Sequence, residues 1–242
     1  MLKILVIGES CRDEFIYCEA LRLAPDLPVP VLQELTRNSN PGMAANVHRN
    51  IQSREANVGL ITNADWQSVT KTRYVHEMSN HLFLRVDTSH DIQRIELTSY
   101  RLDAEIVVIS DYNKGFLTSE DIQMICENNK IVFLDTKKKL GSWAKSASYI
   151  KINDFEYLRS EPNLDSELSN KIIRTRGKRG CDFQGKNYPV ELTEIRDTSG
   201  AGDSFLAALV VEFSRSRDIY KSIAEANLAA SSVVRTRGVG II

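Results

Sequence analysis

The chain has 242 residues, 42% hydrophobic and 26% charged, with a formal net charge of -1 at pH 7. It can bury one large core, and the absence of any long block of one sign excludes nucleic acid or an anionic membrane as the main partner. Cys11, Cys18, Cys126 and Cys181 are scattered, with no CxxC pair and no histidine at ligand spacing, which excludes a zinc site and a disulfide framework.

Lys3 to Ile7 is an apolar run ending in Gly8, the pattern of a central strand buried on both faces. It is too short for a signal peptide or a membrane span, so a cytoplasmic protein is expected. Asp13 follows the carboxyl end of that strand, where open α/β sheets bind ligands; it either holds two sugar hydroxyls or is a solvated loop acid. From about 14 to 36, Pro25, Pro28 and Pro30 exclude a helix and fit short edge strands covering the site. Pro41 and Gly42 predict a turn that opens a helix, in which Asn46 either hydrogen-bonds substrate or satisfies buried backbone. A strand is expected over 57–62. Alternation in Lys71–His76 and His81–Asp87 then predicts a hairpin around Ser79-Asn80. Arg85, on the same face as Asp87, either reaches a substrate phosphate or makes a surface ion pair.

A helix is expected over 92–102 and another over 121–128. Strands over 105–110, 131–134 and 149–152 run into Asp111-Tyr-Asn-Lys114, Asp135-Thr-Lys137 and Asn153-Asp-Phe-Glu156. This repetition predicts a doubly wound, mostly parallel α/β sheet in a single domain, with Asp13, Asp111, Lys114, Asp135, Lys137, Asn153 and Glu156 on one rim. Asn153 and Glu156 either hold a hydrated Mg²⁺ or cap a new helix. A strand over 171–175 leads to Arg176-Gly177-Lys-Arg-Gly180, a basic turn suited to nucleotide phosphates or an exposed hairpin, and 187–190 continues as a strand. A final helix begins at Asp218 and carries Asn227 within its apolar stripe.

The chemistry is placed in Asp197-Thr-Ser-Gly-Ala-Gly-Asp203, a loop that opens a helix with Phe205, Leu206, Leu209, Val210 and Phe213 at helical spacing. Unpaired amides at such a helix start suit a transferring phosphoryl group. Asp203, beside that group, is placed to take a proton from an attacking alcohol. A dinucleotide-binding oxidoreductase is disfavoured, because Gly8-Glu-Ser-Cys-Arg lacks the glycine fingerprint.

Gly8 with Asp13, Pro41-Gly-Met-Ala-Ala-Asn46, Asn153-Asp-Phe-Glu156 and the Asp197–Asp203 loop resemble, in order, the motifs of the PfkB, or ribokinase-like, carbohydrate kinases. Leu23–Val31, Leu84-Arg-Val-Asp87, Ser110–Gly115 and Asp135-Thr-Lys137 are similar to the heptose 7-phosphate kinase domain of ADP-heptose synthesis. The resemblance implies a ribokinase-like fold with a small β lid from about 14–36 and 70–88. It implies Asp203 as base, with Gly200, Ala201 and Gly202 forming the anion hole. Asp13, Gly42 and Asn46 are implied to hold the sugar, and Arg85 of the hairpin with Asp111 and Lys114 of the rim are further candidates for binding substrate. Asn153 and Glu156 belong to the magnesium and phosphate network, and Lys137, Thr175, Gly177, Gly180 and Asn227 line the nucleotide site. ATP, Mg²⁺ and a sugar phosphate are the implied ligands, and the lid strands are a candidate homodimer contact. The alternative is a shortened relative that binds nucleotide or sugar phosphate without catalysis. Two departures bear on this: Gly42-Met43 replaces a pair of glycines, which is expected to narrow the sugar pocket, and only a few residues between Asp65 and Val69 replace a helix and a strand, which predicts a smaller sheet. The chain also stops at Gly238-Val-Gly-Ile-Ile242, short of the segment that often forms a monovalent-cation site.

Overall fold

In the first strand, β1 (Leu2–Gly8), Ile4 and Val6 point to one side, Leu5 and Ile7 to the other, and all four are buried. A strand apolar on both faces requires helices above and below it. The computed structural model describes residues 2–88, 92–190, 199–235 and 240–242; Asp197, Thr198, Gly238 and Val239 lie outside the described residues. From β1 the chain leaves the main sheet for two long strands, β2 (Ser10–Leu23) and β3 (Pro30–Met43), and returns through α1 (Ala44–Gln52) and β4 (Val58–Ile61). Turns over 64–69 carry it out again to β5 (Thr70–His76) and β6 (Leu82–Asp87). There follow β7 (Ala104–Asp111), α2 (Ser119–Asn128), β8 (Val132–Thr136), β9 (Tyr149–Asn153), α3 (Asp154–Ser160), α4 (Ser166–Ser169) and β10 (Ile172–Thr175). The hairpin β11 (Cys181–Phe183) and β12 (Lys186–Tyr188) precedes two long helices, α5 (Ala201–Ser216) and α6 (Ile219–Val233).

The main sheet has the order β12-β11-β10-β9-β8-β7-β1-β4, parallel from β10 to β4 with β11 and β12 antiparallel at one edge. Ile4, Val6, Ile106 and Val108 pack with α1, α5 and α6 on one face; Leu5, Ile7, Val107 and Ile109 pack with α2 and α4 on the other. The lid is a separate sheet, β3-β2-β5-β6. The doubly wound α/β architecture with a β lid is therefore present, and β4 forms one edge of the main sheet, joined to β5 by the turns over 64–69.

Three local expectations are corrected. No helix forms over 92–102: Ile92 and Ile95 donate their N–H groups to the carbonyls of Lys114 and Phe116, so the segment runs beside that loop, with one 3-10 turn at Leu97–Ser99. Buried Ile92 and Ile95 have helical spacing by coincidence of that docking. The lid strands over 14–36 are not short; β2 and β3 have 14 residues each. Pro41 and Gly42 lie inside β3, which accepts proline because it is the lid's edge strand, and the helix opens at Ala44.

All four cysteines are free and buried, and burial pushes the thiols of Cys11, Cys126 and Cys181 up to about 12. No described helix is long and apolar enough to cross a membrane. Beneath α5, buried Phe133 meets the rings of Tyr149 and Phe213 at centroid distances of 5.1 and 5.2 Å. Phe133→Ala should cost about 3–5 kcal/mol, read as a lower urea midpoint at unchanged m-value, and a loss under about 1 kcal/mol would contradict this packing role.

Candidate active site

Alternation along two parallel strands sends charge toward the start of α5. In β8, Val132 and Leu134 enter the core on the α2 side, which leaves Asp135 on the α5 side; in β9, Ile150 and Ile152 do the same for Lys151. Lys151 Nζ donates to Asp135 Oδ2 at 2.7 Å, and both side chains are 5% exposed. A Cβ at Gly202 would stand 3.0 Å from Lys151 Nζ, so glycine there lets the ammonium lie against the first turn of α5. Lys137 Nζ lies 3.9 Å from Asp135 Oδ1 and donates to Glu156 Oε1. Burial alone would lower the pKa of Lys137, but Asp135 and Glu156 outweigh it and raise the value. Two ammonium groups at the positive end of a helix form a field that an anion completes.

Gly200 (φ 76) caps α5 without a side-chain hydrogen bond, and Gly200, Ala201, Gly202 and Asp203 all line a cavity of about 590 Å³. The first-turn amides have no partners within the helix, and the residues that carry them line the cavity. Asp203 is 6% exposed; its Oδ2 accepts from Asn46 Nδ2 at 2.8 Å and its Oδ1 from the Tyr112 hydroxyl at 2.6 Å. Burial raises its pKa, while those two hydrogen bonds and Lys151 pull it back. A carboxylate so balanced is suited to accept a proton. The cavity is lined by charged and polar Tyr112, Lys137, Lys151 and Asp203 and by apolar Phe205, Ala230 and Val234, and Asn153, Thr175, Gly177, Gly180 and Asn227 also line it.

Several sequence-predicted residues have partners within the protein. Asn46 donates its amide to Asp203, and its Oδ1 accepts from Asn50. Asn227 donates to the carbonyls of Tyr188 and Pro189, tying α6 to the segment after β12. Asp111 is buried between Thr136 and Lys138, to which it is paired at 2.7 Å, while Lys114 is exposed beyond it. Arg85 is 53% exposed and forms the surface ion pair, 2.9 Å from Asp87. Asp13 accepts from Arg73 at 2.7 Å, and a Cβ at Gly42 would fall 2.6 Å from its other oxygen; Gly42 makes room for that carboxylate. Met43 does not narrow the pocket: it is 2% exposed and packs in the core with Leu5, Ile7 and Cys11.

Asn153 and Glu156 form a capping box on α3, with Asn153 Oδ1 accepting from the Glu156 amide and Glu156 Oε2 from the Asn153 amide. Glu156 Oε1 accepts from Asn153 Nδ2 and Lys137 Nζ. With those oxygens committed, the pair does not fit direct magnesium ligation. No group of three or more His, Cys, Asp or Glu is placed to hold an ion among the described residues. Sequence reasoning missed Lys151 and Tyr112. Lys151 had a signal, a lone charge inside an otherwise apolar buried strand; Tyr112 had none.

A family model described as pfkB family carbohydrate kinase matches residues 103–242. The "Bifunctional protein HldE" of Helicobacter pylori is 29% identical over 297 aligned positions, covering 98% of this chain and 64% of the relative; that of Coxiella burnetii is 28% identical over 294, covering 99% and 62%. The chain thus spans less than two thirds of the length of these relatives. Among solved structures, ribokinase from Thermotoga maritima superposes with a TM-score of 0.74 at 17% identity, covering 99% of this chain and 95% of that one. Phosphofructokinase-2 from Escherichia coli, in complex with potassium, gives 0.70 at 14% identity, covering 98% and 94%. These neighbours share the ribokinase fold. The family match takes in more than half of the chain, including the glycine-capped start of α5 and its buried acid, and the chain belongs to the pfkB family of carbohydrate kinases.

Proposed function

We propose that this kinase transfers the γ-phosphoryl group of ATP to a hydroxyl of a sugar that already carries a phosphate, most closely the anomeric hydroxyl of a heptose 7-phosphate. The observation that carries the reaction is Asp203: a buried carboxylate fixed by two donors, in the first turn of a helix whose leading residues line a cavity. Asp203 takes the proton of the attacking hydroxyl, and the amides of Gly200, Ala201 and Gly202 with Lys151 receive the charge of the moving phosphoryl group. The apolar lining of the cavity, at Phe205, Ala230 and Val234, accommodates the base of the nucleotide. We assign Mg²⁺ to the nucleotide's own phosphates, where it keeps much of its water, rather than to Asn153 and Glu156.

The lid supports the choice of acceptor. Strand register aligns Asp13 with Lys71, Phe15 with Arg73 and Arg73 with Arg85, so these side chains share one lid face. Lys71 Nζ lies 4.6 Å from the centroid of the Tyr112 ring, which turns that face toward Asp203. Cations there, beside an acid able to bind hydroxyls, match a phosphorylated sugar. The likeness to the HldE proteins, with the resemblance of Leu84-Arg-Val-Asp87 and Ser110–Gly115 to a heptose 7-phosphate kinase domain, supports a heptose phosphate as that sugar. The edge strand β6 exposes Leu82, Leu84 and Val86, which supports pairing of lids between two copies.

Asp203→Asn should retain nucleotide binding by calorimetry and lose at least about 100-fold in turnover; near-normal turnover rejects Asp203 as the base. Coupled detection of ADP across matched sugars and sugar phosphates should show release chiefly with the phosphorylated members. Equal rates without the phosphate remove the lid subsite, and binding with no ADP release anywhere leaves a non-catalytic binding module.

A further inference from the structure

We propose that Tyr112 is a positioning residue that fixes the carboxylate of Asp203 through its phenolic hydroxyl and links that base to the lid through Lys71. The role assigned to the base rests on the kinase reading above; the contacts do not. The Tyr112 hydroxyl and Asn46 Nδ2 donate to different oxygens of Asp203, at 2.6 and 2.8 Å, so the carboxylate is held against rotation about its own axis. The mount of the tyrosine is itself built in: buried Glu9 accepts from the amides of Tyr112 and Lys114, both at 2.8 Å, and so spends its two oxygens on this one loop. The ring is then contacted by cations from two directions. Lys71 of the lid strand β5 lies 4.6 Å from its centroid, and Lys137, on the nucleotide rim, lies 5.4 Å away. One side chain thus touches the lid, the nucleotide rim and the base, and movement of β5 away from the sheet removes Lys71 from the ring.

The charged and titratable groups around Asp203 are Lys151 and Asp135 from β9 and β8, Lys137 after β8, and Tyr112 itself; Asp13 and Cys11 of β2 and Lys71 of β5 complete the lid side. Tyr112→Phe keeps the ring and its lid contact and deletes only the donor. A hydrogen bond to an ionised group favours the ionised form, so its loss raises the pKa of Asp203. In the unliganded protein, carbon-13 titration of the Asp203 carboxyl should give a higher midpoint in Tyr112→Phe than in the parent, with cooperative thermal unfolding retained. In turnover, kcat should fall roughly tenfold, KM for ATP should stay within about twofold, and the acidic limb of kcat/KM for the sugar should move to higher pH. An unchanged titration midpoint overturns the positioning role, whether or not the protein turns over. For the lid link, Lys71→Met should lower kcat in the parent and have a smaller effect in Tyr112→Leu; independent effects overturn the link. A shifted midpoint in a protein that releases no ADP with any sugar phosphate would leave the contact standing and remove the kinase reading instead.

Discussion

The Lys151–Asp135 pair beneath the first turn of α5 is the constraint around which the site is arranged. A lysine at the positive end of a helix is unfavourable, and burying it there without a counter-charge would shift it toward the neutral form. Asp135 supplies the counter-charge from the neighbouring strand, 2.7 Å away, and so compensates the buried charge of Lys151 beneath the first turn of α5. The pair is a fixed dipole set by strand alternation, and its position needs no reorganisation during reaction. Lys137 and Glu156 extend the same pattern outward along the rim, cation and anion by turns.

The helix above that pair is held as firmly as the strands below it. From Asp203 to Val211 every residue of α5 is buried, because the helix lies between the sheet and its neighbours α1 and α6. A helix apolar on all sides belongs to an interior, and its leading turn is consequently as well located as the core. Asn46 on α1 adds a cross-link between helices that ends on the Asp203 carboxylate.

The main sheet was legible because its strands are apolar on both faces and each ends in a polar loop, a pattern with few competing explanations. The glycine-rich loop was legible for a related reason: Gly200 and Gly202, in a short polar segment with an aspartate at each end, stand just before the apolar run Phe205–Val211. Side-chain partnerships across the fold were not legible. Asn46 was recognised as an exceptional amide, but its partner lies 157 residues away. Asn153 and Glu156 have the spacing of a capping box and of a ligand pair alike, and sequence alone does not choose between them. The stretch 92–102 failed for a different reason: its isoleucines are buried by docking on a loop, and an i, i+3 pair has the same spacing in a docked segment as in a helix.

Met43 stands at φ 61, ψ -132, a backbone region that costs a side-chain-bearing residue on the order of 1–3 kcal/mol, and its thioether is anchored among Leu5, Ile7 and Cys11. Beside it the Ala44 amide is clasped by the carbonyl of Glu9. Where a pair of glycines would make a swivel, this chain has a pinned corner, so one end of the lid is bolted to the sheet. The chain that enters the lid at the β1 end and leaves it at Met43 is therefore tied down at both crossings, whereas the turns over 64–69 form the other connection between the two sheets.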